Sequence, residues 1–121
     1  MISYKLGEVE MKFADLIWKN EPIPSGELVK LAADSLVWKK STTYTVLRKL
    51  CEKGIFKNEN GCVKSLVSKD EYMAMQSERF VEETFSGSLP KFLAAFSKRK
   101  SLSSKEVLEI QQLIDSYKEG K

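Results

Sequence analysis

Apolar residues at the start of the chain recur at helical rather than alternating intervals. Val9, Phe13, Leu16 and Ile17 fall on one stripe of a helix over 8–19. Pro22 and Pro24 end it, because proline lacks the amide donor and biases its predecessor away from helix. Ser25 then reads as the N-cap of a second helix, with Glu27 in its first turn and Leu28, Val29, Ala32 and Leu36 as its apolar face. Ser41 reads as the cap of a third, with Val46, Leu47 and Leu50 turned inward and an end near Gly54. The period then shortens. Ile55-Phe56-Lys57 and Cys62-Val63-Lys64-Ser65-Leu66 flank Asn58-Glu59-Asn60-Gly61, and Asn-Gly between two short apolar runs predicts a tight β-hairpin. Helix, helix, helix, hairpin is the order of a winged helix-turn-helix.

Beyond position 67 the helical period returns. Ser68-Lys69-Asp70-Glu71 matches a capping box, and the helix it opens carries Tyr72, Met75, Phe80 and Val81 or Phe85. Gly87 and Pro90 punctuate the chain before a short amphipathic stretch with Leu89, Phe92, Leu93 and Phe96. Lys98-Arg99-Lys100 follows as a basic linker, and Ser103 to Glu106 repeats the capping box. The last helix aligns Val107, Ile110, Leu113, Ile114 and Tyr117 on one stripe.

Three short helices with such large apolar faces do not easily bury them against a small head. Pairing with a second copy about a two-fold axis is the economical solution. It predicts dimer contacts at Tyr72, Phe80, Leu89, Phe92, Leu93, Phe96, Ile110, Leu113, Ile114 and Tyr117. A monomeric all-helical globule is the other way to cover them. The expected fold is mostly α: a winged helix-turn-helix head with a small β-hairpin wing over 1–67, and a C-terminal helical dimerisation region over 68–121.

Charge divides the two parts. The chain holds 20 Lys plus Arg against 17 Asp plus Glu, for a net +3. Within 36–64, Lys39, Lys40, Arg48, Lys49, Lys53, Lys57 and Lys64 stand against only Glu52 and Glu59, whereas 68–121 carries nine of each sign. A cationic stretch centred on the third helix predicts a phosphate-facing surface. The side of that helix opposite its apolar face offers Thr42, Thr45, Arg48 and Lys49, groups that reach phosphates and base edges in a major groove. Lys57 and Lys64 would lie along the flanking backbone. A solvated helix and a hairpin that packs without touching DNA fit the same pattern. Trp18 and Trp38 read as core or core-edge aromatics, and Cys51 as a small core filler.

Composition removes whole classes of function. A chain of 121 residues makes one domain, or a small domain with a helical appendage. It has no histidine, which removes the commonest general base and the commonest neutral metal ligand. Cys51 and Cys62 do not by themselves complete a zinc site, and the adjacent Glu82 and Glu83 point in different directions on a helix. The reading is therefore a non-enzyme with no catalytic residues, no metal and no cofactor. No apolar run approaches the about 18 residues of a membrane span, and the first residues carry no export signal. The expected location is the cytoplasm, with free thiols and no stable membrane association.

Several stretches together resemble a known family. They are Leu6-Gly7-Glu8-Val9-Glu10 with Leu16-Ile17-Trp18, then Trp38 with Thr42-Thr43-Tyr44-Thr45-Val46-Leu47-Arg48-Lys49-Leu50 and Lys53-Gly54. Leu66-Val67-Ser68 before Glu71-Tyr72 follows, then Gly87-Ser88-Leu89, Leu93-Ala94, Phe96 and Leu102-Ser103. In order and spacing these are similar to the penicillinase repressor and methicillin-resistance regulator family, which also includes copper-transport repressors. The resemblance covers nearly the whole chain.

It implies a homodimeric repressor of transcription on a palindromic double-stranded DNA operator, upstream of an antibiotic-resistance (β-lactam) or related stress-response gene. It places Thr42, Thr45 and Lys49 on the operator-contacting helix, and Arg48 joins them from the helical face. In the β-lactam branch it implies induction by a sensor protease encoded nearby, which cuts at a place matching Ala95-Phe96. The chain departs from the family in a hairpin of only Gly61-Cys62-Val63-Lys64-Ser65 after the turn, in Phe13-Ala14 where the family often has Val-Met, and in having no cysteine after Cys62. The last departure speaks against the copper branch's metal site. The alternative function is a non-enzymatic adaptor whose basic face meets an acidic partner protein.

Overall fold

Helix-breaking prolines and glycines set the boundaries of the elements in the computed structural model, which describes residues 5–120. The order is α1 (Glu8–Asn20), β1 (Ile23–Pro24), α2 (Ser25–Leu36), α3 (Lys40–Glu52), β2 (Phe56–Glu59), β3 (Cys62–Ser65), α4 (Lys69–Phe85), α5 (Leu89–Arg99) and α6 (Ser104–Glu119). The periodicity anticipated all six helices and the hairpin. It did not anticipate β1, a two-residue strand that pairs Ile23 with Val63 and Pro24 with Cys62. The sheet is antiparallel with strand order β1-β3-β2. Asn60 and Gly61 both take positive φ, 54° and 78°, as a two-residue turn between twisted strands requires.

The chain divides into two compact units, Met1–Glu78 and Arg79–Lys121. In the first, Phe13, Ala14 and Ile17 of α1 meet Leu28 and Ala32 of α2, Leu47 and Leu50 of α3, and Ile55, Phe56 and Val63 of the sheet. Each large side chain buried here contributes about 1.5–3 kcal/mol relative to exposure. Trp38 packs on Phe13 with ring centroids 5.0 Å apart, and Trp18 on Phe56 at 5.3 Å, so both tryptophans are core-edge aromatics. Val9, counted in the first apolar stripe, lies 56% exposed; Ala14 holds the inward position beside Phe13.

Helix ends show where local signals hold. Ser68 accepts from the Glu71 amide while Glu71 accepts from the Ser68 amide, and Ser103 and Glu106 do the same, so both capping boxes form. Two other caps differ from expectation. Ser25 is the first residue of α2, after Pro24, and α3 starts one residue before Ser41 with Lys39 as a cap that supplies no side-chain acceptor. The Glu10 carboxylate is held below the usual range, first by the Gly7 amide it accepts from and then by Lys53, against the opposing effect of burial.

Candidate nucleic-acid interface

The sequence of α3 is a poor helix former. Thr42, Thr43, Thr45 and Val46 are β-branched, and no side chain caps its start. Packing holds it instead: Thr43, Leu47 and Leu50 are buried, and the Thr43 hydroxyl satisfies itself on the Lys39 carbonyl at 3.1 Å. The turn before it closes with Val37 in the left-handed region at φ 57° and the Trp38 amide bonded to the Ala32 carbonyl. A β-branched residue there costs about 1–2 kcal/mol, which the packing of Trp38 on Phe13 offsets.

With those three residues turned inward, Thr42, Thr45, Arg48 and Lys49 all lie exposed on the outward side of α3, together with Lys40, Ser41 and Glu52. Thr45 donates its hydroxyl proton to the Ser41 carbonyl at 2.9 Å, so its oxygen is left to act as an acceptor. Tyr44 links α3 to α2 by donating to Ser25 Oγ at 3.1 Å, and the Ser25 amide donates to the Gly61 carbonyl at 2.8 Å. The hairpin turn is thereby tied to the start of α2. A shallow cavity of about 290 Å³ lies between α3 and β2, lined by Tyr44, Leu47, Arg48, Cys51 and Asn58. Burial pushes the Cys51 thiol up, beyond the opposing hydrogen bond from the Asn58 backbone, so it stays a thiol near neutral pH.

The seven cations of 36–64 separate into two groups. Lys53 is 3.0 Å from Glu10 and also donates to the Lys5 carbonyl. Lys57 and Lys64, opposite each other on β2 and β3, both turn to Glu59 at 3.6 and 3.8 Å. Among the described residues, Lys39, Lys40, Arg48 and Lys49 form no ion pair. The uncompensated positive charge therefore sits on α3 and its N-cap, while the wing carries its own counter-ion. The sequence shows Glu59 as one of only two anions in this stretch but not its pairing with both wing lysines, although one signal was present: strand alternation puts residues 57 and 59 on one face.

Removing that counter-ion frees two lysines. Glu59→Gln is expected to raise affinity for duplex DNA about threefold to tenfold and to steepen its salt dependence, by up to about 0.9 in log–log slope for each lysine that reaches a phosphate. Unchanged affinity and slope in a titration over 50–200 mM salt would show that the wing does not approach the backbone.

In the second unit no described residue is buried, although it is rich in large apolar side chains. Phe80, Phe85, Phe92 and Phe96 stack with centroids 5.7–6.1 Å apart, yet Phe80 remains 50% and Phe96 44% exposed. Leu113 and Tyr117 are more exposed still, and with Leu89, Ile114 and Lys118 they line an apolar cavity of about 620 Å³. Phe92, Leu93 and Ile110 are half-buried. Tyr72, grouped with these residues on helical spacing, lies elsewhere. It is buried in the first unit, where its ring lies 5.7 Å from that of Trp18 and its hydroxyl accepts from the Leu6 amide. Ala95 is half-buried on α5. Among the described residues no cluster of His, Cys, Asp and Glu could hold a metal, and no helix is long and apolar enough to cross a membrane.

Comparison with known proteins bears on this arrangement. The family described as "Penicillinase repressor" matches residues 6–116, which spans both the cationic α3 and the apolar second unit. The chain is also 24% identical over 121 residues to the penicillinase repressor of Bacillus licheniformis, covering 97% of this chain and 94% of that one. A match of that extent decides membership: the chain belongs to the penicillinase repressor family.

Proposed function

We propose that the protein is a homodimeric transcriptional repressor that reads a palindromic operator with α3 of each copy. The operator would belong to an antibiotic-resistance gene of the β-lactam kind or to a related stress-response gene. Its family supports the coarser role, a DNA-binding regulator of transcription. The observation that carries the finer reading is the segregation of surface chemistry. Four uncompensated cations lie on α3 and its N-cap, and the exposed apolar side chains concentrate in 79–120.

In this reading Arg48 and Lys49 make charge-assisted contacts, Thr42 and Thr45 supply hydroxyls near the helix start, and Lys57 and Lys64 add to the backbone contact only when they leave Glu59. Phe80, Leu89, Phe92, Leu93, Phe96, Ile110, Leu113, Ile114 and Tyr117 meet the second copy. The head over 1–67 serves the DNA and 68–121 the partner chain. Such a regulator needs no cofactor and works in the cytoplasm on its operator.

Derepression by a sensor protease encoded nearby, cutting near Ala95-Phe96 and just after Phe96, fits the character of α5. Proteases bind extended chain, so the helix must open first. Within its own chain this 11-residue helix buries no residue, so it opens at little cost once the second copy has left Leu89, Phe92, Leu93 and Phe96. The cut detaches α6, with Ile110, Leu113 and Ile114, from the rest of the dimer face.

A footprint over the DNA upstream of this gene and its neighbours tests the reading, with sedimentation of the free protein alongside. Two protected half-sites with centres about 10–10.5 base pairs apart, or a multiple of that, are expected, together with a dimer mass. Uniform, sequence-independent binding by a monomer would return the function to an adaptor for an acidic partner.

A further inference from the structure

The chain between the hairpin and α4 has no slack. The Glu21 carboxylate accepts from both the Ser65 amide and the Ser65 hydroxyl, at 2.7 and 2.9 Å. The Leu66 and Val67 amides both donate to the Ile55 carbonyl, at 2.7 and 3.2 Å. The six residues Val67–Tyr72, which run into the first turn of α4, are then tied to α1 and to Leu6 just before it by three different interactions. Trp18 Nε1 donates to the Val67 carbonyl at 3.0 Å. Lys69 Nζ lies 2.9 Å from the buried Oδ1 of Asp15, at ion-pair distance though not in hydrogen-bond alignment. Tyr72 inserts its ring beside Trp18 and takes the Leu6 amide at 3.1 Å on its hydroxyl, a buried bond between residues 66 positions apart. Beyond Tyr72, α4 buries nothing, and from Arg79 it belongs to the second unit.

These bonds hold six consecutive residues, Val67–Tyr72, to the first unit. We propose that Tyr72 is a positioning residue: with Lys69–Asp15 and Trp18 it fixes the direction in which α4 leaves the head, and so selects the half-site spacing that two joined heads can bridge. The proposal rests on the dimeric repressor reading for its consequence, but the anchoring itself does not. Leverage sets the scale. A helix of 17 residues is about 25 Å long, so a swing of about 10° at its root moves its far end by about 4 Å. That exceeds the about 3.4 Å rise of one base step. A loose root therefore blurs spacing by a base pair or more, and an anchored one does not. Tyr72 thus sets register without touching DNA.

The test uses full-length protein with Tyr72→Phe, Lys69→Ala and the two combined. Tyr72→Phe keeps the ring and removes the acceptor for the Leu6 amide; Lys69→Ala removes a half-exposed ion pair. Palindromic duplexes selected by the wild type from a random pool are re-made with the spacer changed by one and two base pairs, and a single half-site duplex serves as control. The wild type is expected to prefer its spacing at least tenfold over the next. The double variant is expected to keep half-site affinity within twofold and to lose the preference to threefold or less. A merely structural role would lower both affinities together. In parallel, spin labels at Lys12→Cys and Thr84→Cys, with Cys51→Ala and Cys62→Ser and an excess of unlabelled chain, report the distance distribution between α1 and the end of α4. It is expected to broaden in the double variant. An unchanged spacing preference and an unchanged distribution in folded double variant would overturn the proposal, and if the double variant does not fold, Lys69→Ala alone decides by the same two readings. If the wild type selects no palindrome, the repressor reading fails, and the distance distribution still decides whether Tyr72 and Lys69 hold the root of α4.

Discussion

Leu113→Asp is expected to leave the protein folded, to turn it into a monomer, and to lower its affinity for a two-half-site operator by about a hundredfold or more. The side chain is 66% exposed in the single chain, so the aspartate stays solvated there and the helix keeps its capping box. In the proposed dimer the same position would be covered, and an unpaired carboxylate in an apolar face costs several kcal/mol. The effect on DNA is indirect. Joining two heads makes the second half-site encounter intramolecular, and that gain of about 10²–10⁴ disappears with the dimer. Affinity for one isolated half-site should not change. Sedimentation and a band shift on both duplexes check this. A dimeric Leu113→Asp protein with full operator affinity would remove α6 from the interface.

Lys49→Ala should do the reverse, keeping the dimer and weakening the DNA complex about tenfold. Lys49 forms no ion pair among the described residues, and Glu10, whose charge reaches it, is already committed to the Gly7 amide and to Lys53. Its ammonium is therefore available to a phosphate. Each head then loses one contact, and the salt dependence should flatten by about 0.9 per head, or about two per dimer. A loss of similar size on unrelated DNA would assign the contact to the backbone, and a loss confined to the operator would assign it to a base edge. An intact dimer with unchanged affinity and slope would take Lys49 out of the interface. Glu59→Gln acts in the opposite direction, so the two substitutions together separate α3 from the wing.

Much of this was legible in the chain, for reasons that can be stated residue by residue. Leu47 and Leu50 repeat at helical spacing, and that spacing alone turns Thr45, Arg48 and Lys49 to the other side of α3. Ser68 with Glu71, and Ser103 with Glu106, mark helix starts because each pair closes bonds within four residues. Asn60-Gly61 marks the hairpin because both residues take positive φ at little cost. The start of α3 was less legible: Lys39 offers no side-chain cap, and the burial of Thr43 takes the place of one in holding the first turn. β1 was invisible, since two residues, one of them a proline and the other preceded by one, carry no alternation. Tyr72 misled, because helical spacing aligned it with Phe80 while tertiary contacts drew it into the head.

By itself the sequence determined which segments coil, which side of α2 and of α3 turns inward, and that cations gather near α3 while apolar helical stripes recur beyond residue 67. These depend on periodicity and composition, which are properties of neighbouring residues. That Lys53 and Lys64 do not stay free was decided by tertiary structure, since Glu10 reaches Lys53 across 43 positions and Lys64 reaches Glu59 only across the paired strands. The fate of Tyr72 was decided in the same way. A bond from Leu6 to Tyr72, or from Trp18 to Val67, is set by how α1 packs against the start of α4. Contacts between residues so far apart leave no periodic trace in the chain.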